Sequence, residues 1–201
     1  MSILEDLVFL SINDYTGEIF AAPSKRVLSL CMIGATLYDL RNASRIDFIE
    51  GKEVSMIDTS QMEFPILDEI VTKIAEAGKQ HSIKYWLLTL PVVIKKIRKR
   101  TMQLLIEAGK IAYDEQSGRF TIIHPEEKQE LLDILKQSII MDREPNPRVI
   151  QVLSVARWCG VLKLYFSKKE RREYKKKVDA LIINERIQKN IHQIISQTSS
   201  S

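Results

Sequence analysis

Lysine and arginine crowd one short stretch of this chain. Lys95, Lys96, Arg98, Lys99 and Arg100 place five cations within six residues. Ammonium and guanidinium groups at that density are suited to anion recognition, pairing with phosphate or carboxylate oxygens through charge-assisted hydrogen bonds. The spacing is poor for helix stability alone. Lys95 with Lys99, and Lys96 with Arg100, are like-charge pairs four apart, each costing roughly 0.2–0.5 kcal/mol on an isolated helix. The cluster therefore predicts an anionic partner, either a lipid headgroup or a nucleic-acid phosphate.

Other candidate chemistry is sparse. A second cationic run, Lys168 to Lys177, reads as a solvated helix face because Glu170 and Glu173 can pair with its cations; Tyr174 within it can stack or sit at an interface. There is no Walker-type glycine loop, no His-Glu-x-x-His, no Gly-x-Ser-x-Gly and no Gly-x-Gly-x-x-Gly. His81, His124 and His192 are isolated from one another and read as surface or capping residues. Asp68 and Glu69 are adjacent and would point apart on a helix, so their expected place is near its positive end. The expectation is a protein that is not an enzyme, with no catalytic residue, metal site or cofactor.

The elements that must hold the basic stretch are mainly helical. With 201 residues, a net charge of +4 and a pI near 9.0, the chain can bury a real core in one domain. Residues 1–197 are expected to form it, with a frayed tail over 198–201. Cys31 and Cys159 lie in apolar runs without metal-ligand spacing, which predicts buried, reduced thiols and a cytosolic compartment. The first residues read as a helix start, with Ser2 and Glu5 as a capping box, and not as a signal peptide. The apolar stretches are too short for the ~20 residues of a spanning helix, so membrane contact is expected to be peripheral.

Along the chain, Asn13 to Gly17 is a turn, Val27 to Leu40 the most buried helix, and Arg45 to Val54 a short hairpin turning at Glu50-Gly51-Lys52. A helix opens at Pro65, with Ile66, Leu67, Ile70, Val71 and Ile74 inward, and ends near Gly78. Another starts near Lys84 and breaks at Pro91 before the basic helix, whose inward face is Ile94, Ile97, Leu104, Leu105 and Ala108. Ile111 to Ile123, turning at Gly118, is a β-hairpin. Helices follow over Pro125 to Met141, then Val149 to Phe166 after Pro145-Asn146-Pro147, then Lys168 to about Gln197. Trp86 and Trp158 are assigned to the core.

Several phrases, taken in order, carry a resemblance. They are Leu4-Glu5-Asp6-Leu7-Val8-Phe9-Leu10 before Asn13-Asp14-Tyr15-Thr16-Gly17, Ser44-Arg45-Ile46, Ile66-Leu67-Asp68-Glu69-Ile70 and Tyr85-Trp86-Leu87. Ile94 to Arg100 then leads into Leu105-Ile106-Glu107-Ala108-Gly109-Lys110-Ile111, and Arg148-Val149-Ile150-Gln151-Val152-Leu153 closes the series. This sequence resembles the Golgi phosphoprotein 3 family of peripheral membrane proteins over nearly its whole length. The resemblance implies an all-helical fold with a β-hairpin. It also implies binding of phosphatidylinositol 4-phosphate, an anionic phospholipid, on the cytosolic membrane face, at the Golgi in a eukaryote. Homo-oligomers through the hairpin and the tails of membrane enzymes are the partners it implies.

Two pocket cations of the family fall on Lys95 and Arg98, and Lys99 extends the same surface. Ser24 stands where the family carries a membrane-loop tryptophan, and Ile33 where it carries a further arginine. Lys25 and Arg26, in the same loop as Ser24 and Pro23, are the substitutes expected to complete the lipid site. Two other readings compete. The segment Lys95 to Ile123 can form half of a winged helix, with Lys95, Lys99 and Arg119 on DNA phosphates. A helical protein-binding adaptor is the third.

Overall fold

Ser2 and Glu5 close a capping box: the Ser2 hydroxyl accepts the Glu5 N–H at 3.1 Å and the Glu5 carboxylate accepts the Ser2 N–H at 2.6 Å. Helix α1 (Ile3–Ser11) begins there. Its next two free N–H groups, on Ile3 and Leu4, donate to the Asp39 carboxylate at 2.7 and 3.0 Å. A carboxylate at the positive end of the helix dipole satisfies donors that would otherwise be orphaned. Asp39 lies on α2 (Lys25–Asn42), which Ser24 caps by accepting the Val27 N–H at 3.3 Å. The computed structural model describes residues 1–20, 24–50, 52–62, 64–140, 146–182 and 186–198, with backbone alone at 65, 66, 186, 188 and 198. The expectations for Pro23, Gly51, Pro145, the Ile66 side chain and residues 199–201 lie outside the described residues.

Three strands come next in an antiparallel sheet ordered β1 (Ile46–Ile49), β2 (Glu53–Met56), β3 (His81–Ser82). Between β2 and β3 runs α3 (Pro65–Glu76), which buries Leu67, Ile70, Val71 and Ile74. The hairpin expected from Arg45 to Val54 is present, but β3 is an addition. His81 and Ser82 pair with Val54 and Glu53 before Ser82 caps α4 (Ile83–Thr89). A 3-10 turn over Leu90–Val93, containing Pro91, leads into α5 (Ile94–Glu107). Strands β4 (Ile111–Asp114) and β5 (Arg119–Ile122) form a separate hairpin, with Gly118 at a left-handed φ of 68°.

Four further helices and one short helix follow: α6 (Pro125–Ile140), α7 (Pro147–Trp158), the short α8 (Leu162–Tyr165), α9 (Lys168–Leu181) and α10 (Arg186–Thr198). Two expectations are corrected here. The single helix from Val149 to Phe166 is divided, because Gly160 takes a φ of 75° that a continuing helix cannot hold. The single helix from Lys168 to Gln197 is also divided. In a continuous helix, Lys189 and Gln193 would line up with Val178 and Ile182, whereas the buried residues are Ile187, Ile191 and Ile194. The apolar phase shifts, and the chain leaves the helix at Ile182.

The core centres on α2, which packs against α1, α7, α10, α4 and α5. Apolar residues therefore surround it instead of forming one stripe. Cys31 and Cys159 are free and buried within this core, and burial pushes the Cys31 thiol well up. Trp86 is buried as expected, and Trp158 is half-buried. Gly34 sets the spacing to α10: a Cβ there would stand 2.7 Å from Ile187 Cγ2 and 3.2 Å from Ile191 Cδ1. Alanine gains about 1 kcal/mol in helix propensity over glycine, while overpacking costs roughly 1–3 kcal/mol. We expect Gly34→Ala to lower the urea midpoint, and a raised midpoint would show that α10 yields freely.

Polar groups inside the core tie distant segments together. Lys128 on α6 is 2% exposed; its ammonium donates to the Ile12 carbonyl and to Asp14, each at 2.6 Å, and stands 5.1 Å from the Tyr165 ring centre. Burial lowers its pKa against the pull of Asp14. The Tyr165 hydroxyl donates to the Leu10 carbonyl at 2.6 Å. Arg148 pairs with Asp6, which is 2% exposed, and also donates to the Met1 carbonyl at 2.7 Å.

Candidate functional site

Helix α5 is anchored by one buried stripe, Ile97, Thr101, Met102 and Leu105, with Ile94 and Leu104 half-buried beside it. Ala108 is exposed, against expectation, because the helix ends at Glu107 and the chain turns at Gly109 with a φ of 69°. Thr101 occupies an inward position that hydropathy alone did not mark. Its hydroxyl is satisfied by the Ile97 carbonyl at 2.8 Å.

This anchoring sorts the five cations into two groups. Lys96 pairs with Glu69 of α3 at 3.3 Å, and Arg100 pairs with Glu107 at 3.2 Å. Lys95, Arg98 and Lys99 have no ion-pair partner among the described residues. Those three line one groove of about 700 Å3. Met102, Gln103 and Ile106 continue the same wall along α5.

The hairpin and the first turn supply the facing wall. Tyr113 and Phe120 present adjacent rings, 4.8 Å between centres, and Gly17, Glu18 and Ile19 close the end. The turn is shaped by Asn13, whose side-chain oxygen accepts the Tyr15 and Thr16 N–H groups at 2.9 and 3.1 Å. It docks on β5 through the Phe120 N–H, which donates to the Gly17 carbonyl at 2.8 Å. Among the described residues lining the groove, Glu18 is the sole carboxylate, against three cations. An open groove with excess positive charge and two aromatic rings can hold a phosphorylated headgroup at its surface, and no buried acid–base pair stands among its described residues for bond cleavage.

The other expected site residues are placed elsewhere. Lys25 and Arg26 are exposed in the first turn of α2 and do not line this groove. Cations there oppose the helix dipole. Ile33 is fully buried. Arg119 lines a second groove, with Asp14, Asp114 and Lys128, which shares Gly17 and Phe120 with the first. Lys95, Lys99 and Arg119 do not line one groove.

His81 stacks on Tyr85 at 3.8 Å, His124 lies 3.0 Å from Glu126, and His192 packs on Trp158. Asp68, in the first turn of α3, accepts the Met62 N–H at 2.8 Å, while Glu69 turns away to Lys96. Among the described residues no cluster of His, Cys, Asp and Glu is placed to hold a metal ion.

The sequence profile of Golgi phosphoprotein 3 (GPP34) matches residues 3–198. The chain belongs to the Golgi phosphoprotein 3 family. No individually curated protein matches it significantly. The mainly helical architecture with its hairpin is thus that of a Golgi phosphoprotein 3-like protein, as the ordered phrases from Leu4 to Leu153 imply. Among the described residues of this Golgi phosphoprotein 3 family member, no helix is long and apolar enough to cross a membrane. The facing wall of the groove is the part that sequence reasoning missed. Tyr113, Phe120 and Gly17 read only as hairpin and turn residues, although alternation along β5 places Phe120 and Arg119 on opposite faces.

Proposed function

We propose that this protein is a non-enzymatic peripheral membrane protein that binds the phosphorylated headgroup of an anionic phospholipid, phosphatidylinositol 4-phosphate foremost, in the groove beside α5. The observation that carries this reading is the sorting of the basic cluster. Lys96 and Arg100 are paired with Glu69 and Glu107, whereas Lys95, Arg98 and Lys99 face one groove with no ion-pair partner among the described residues and only Glu18 for negative charge in its lining. Family membership supports it independently.

Three cations near an anionic bilayer contribute about 3 kcal/mol at about 1 kcal/mol each, and salt screens part of this. Association on the cytosolic face is therefore reversible, and further attraction has to come from elsewhere. Lys25 and Arg26 add charge as a separate patch. Homo-oligomerisation through the hairpin would add avidity: no backbone hydrogen bond from another described segment reaches β4, while Gly17 occupies the edge of β5. Tails of membrane enzymes are the protein partners this reading favours.

The test is co-sedimentation with neutral, generally anionic and phosphatidylinositol 4-phosphate vesicles at fixed salt. The expected result is a preference for the phosphoinositide that falls by about tenfold or more in a Lys95→Glu, Arg98→Glu variant, since each reversal removes attraction and adds repulsion. Equal binding to all anionic vesicles overturns the headgroup assignment, and no binding to any overturns the lipid reading.

A further inference from the structure

The second cationic run, which the groove beside α5 does not use, borders a cavity of its own. Four side chains form its apolar floor: Ile139 of α6, Leu162 of α8, Phe166 just beyond α8 and Val178 of α9, each at most 7% exposed. Lys163, Arg171 and Lys175 stand on its rim. Lys163 and Lys175 have no ion-pair partner among the described residues, and Arg171 donates to the Lys163 carbonyl at 3.3 Å, which leaves its charge uncompensated. Arg171 and Lys175 are a like-charge pair four apart, a spacing unfavourable to α9 by itself.

Two nearby carboxylates are engaged elsewhere. Glu170 accepts the Ser167 N–H at 2.7 Å, and Asp179 pairs with Arg157 at 3.4 Å. No carboxylate is among the described residues that line the cavity. Lys136 stands behind the floor, its ammonium 5.6 Å from the Phe166 ring centre and close enough to Glu170 to assist the Ser167 hydrogen bonds that lower that carboxyl's pKa. Apolar walls below and a ring of cations above select an occupant with an apolar body and one anionic end. The volume, about 260 Å3, lies below the roughly 300–1,000 Å3 of ordinary ligand pockets. That limits the occupant to a single short chain.

We propose that this cavity binds a medium-chain alkyl carboxylate, its chain against Ile139, Leu162, Phe166 and Val178 and its carboxylate held by Lys163, Arg171 and Lys175. The site is separate from the groove beside α5 and does not depend on the function proposed for it. Burial of each methylene favours binding, and the carboxylate orients the chain, so both ends of the ligand matter.

The experiment is calorimetric titration of the full chain with sodium decanoate below its micelle concentration, with decanol as the neutral probe of the same length. Saturable binding of decanoate is expected, with decanol weaker by about tenfold or more. An Arg171→Gln, Lys175→Gln variant alters only the rim, so it should fold normally and lose about tenfold in affinity. Val178→Trp, which fills the floor, should abolish binding. Absence of saturable decanoate binding by the native chain overturns the proposal, and so does equal affinity for decanol or an unchanged affinity in the rim variant.

Discussion

Replacing Arg148 by methionine is expected to cost roughly 1–3 kcal/mol of stability near neutral pH, below the roughly 3–5 kcal/mol for stranding a charge in a fully buried pair, because Asp6 can take up a proton instead. The stranded group is Asp6, whose side chain is 3% exposed on α1 while that of Arg148 is 40% exposed. Burial already pushes the Asp6 carboxyl up to about 6, against the lowering effect of Arg148. Asp39 is likewise raised to about 6 by burial, despite its two backbone donors.

A carboxyl raised above its unfolded value of 3.8 holds its proton more tightly in the folded chain. Its contribution is fully present below pH 3.8 and is lost as pH rises through about 6, the reverse of an ordinary salt-bridged aspartate. Removing Arg148 raises Asp6 further and extends that loss toward neutral pH. Urea melts at pH 5 and pH 7.5 provide the check: the variant should lose clearly more at the higher pH. An equal loss at both would mean that packing of the Arg148 side chain, and not its charge, holds α7 to α1.

Gly17→Ala is the second large expectation, at roughly 2–5 kcal/mol, the sum of a backbone cost and a packing cost. Gly17 has a φ of 66°, where an L side chain costs about 1–2 kcal/mol. Its Cβ would meet the Phe120 carbonyl oxygen at 2.5 Å. Backbone cannot rotate aside, so the contact adds an overpacking cost of about 1–3 kcal/mol. Relief requires the turn to lift from β5, which breaks the bond from the Phe120 N–H and displaces Gly17, Ile19 and Phe120 from the wall of the groove. Both thermal stability and vesicle binding should fall. Hydrogen exchange at the Phe120 amide isolates the cause, since native-like protection in the variant would falsify this account.

What the sequence disclosed follows the range of each interaction. The Ser2–Glu5 capping box, the stripe of α3 and the hairpin at Gly118 depend on residues within a few positions of one another, and all are present. The basic cluster was legible, but its division was not, because Glu69 lies 27 positions from Lys96. For the same reason nothing local announced Asp39 under α1, Lys128 under Ile12, or the partnership of Phe120 with Gly17. The breaks in the last helices were legible in principle. Gly160 interrupts one, and the phase shift between Ile182 and Ile187 marks the other, although both runs read as continuous when only apolar content is counted.

Helix α1 meets Asp39 of α2 early, but several other groups that complete its surroundings are encoded far downstream. Lys128, Arg148 and Tyr165 reach back to α1 and the residue after it, and Tyr165 lies 155 residues beyond Leu10. At about 5–20 residues per second, that separation corresponds to roughly 8–30 s of synthesis. During that interval a strongly apolar nine-residue segment has no completed site to enter. Packing on α2 can begin early, but burial of α1 is completed only in a late, non-local step, and until then the nascent chain displays part of a short hydrophobic helix of the kind that chaperones hold.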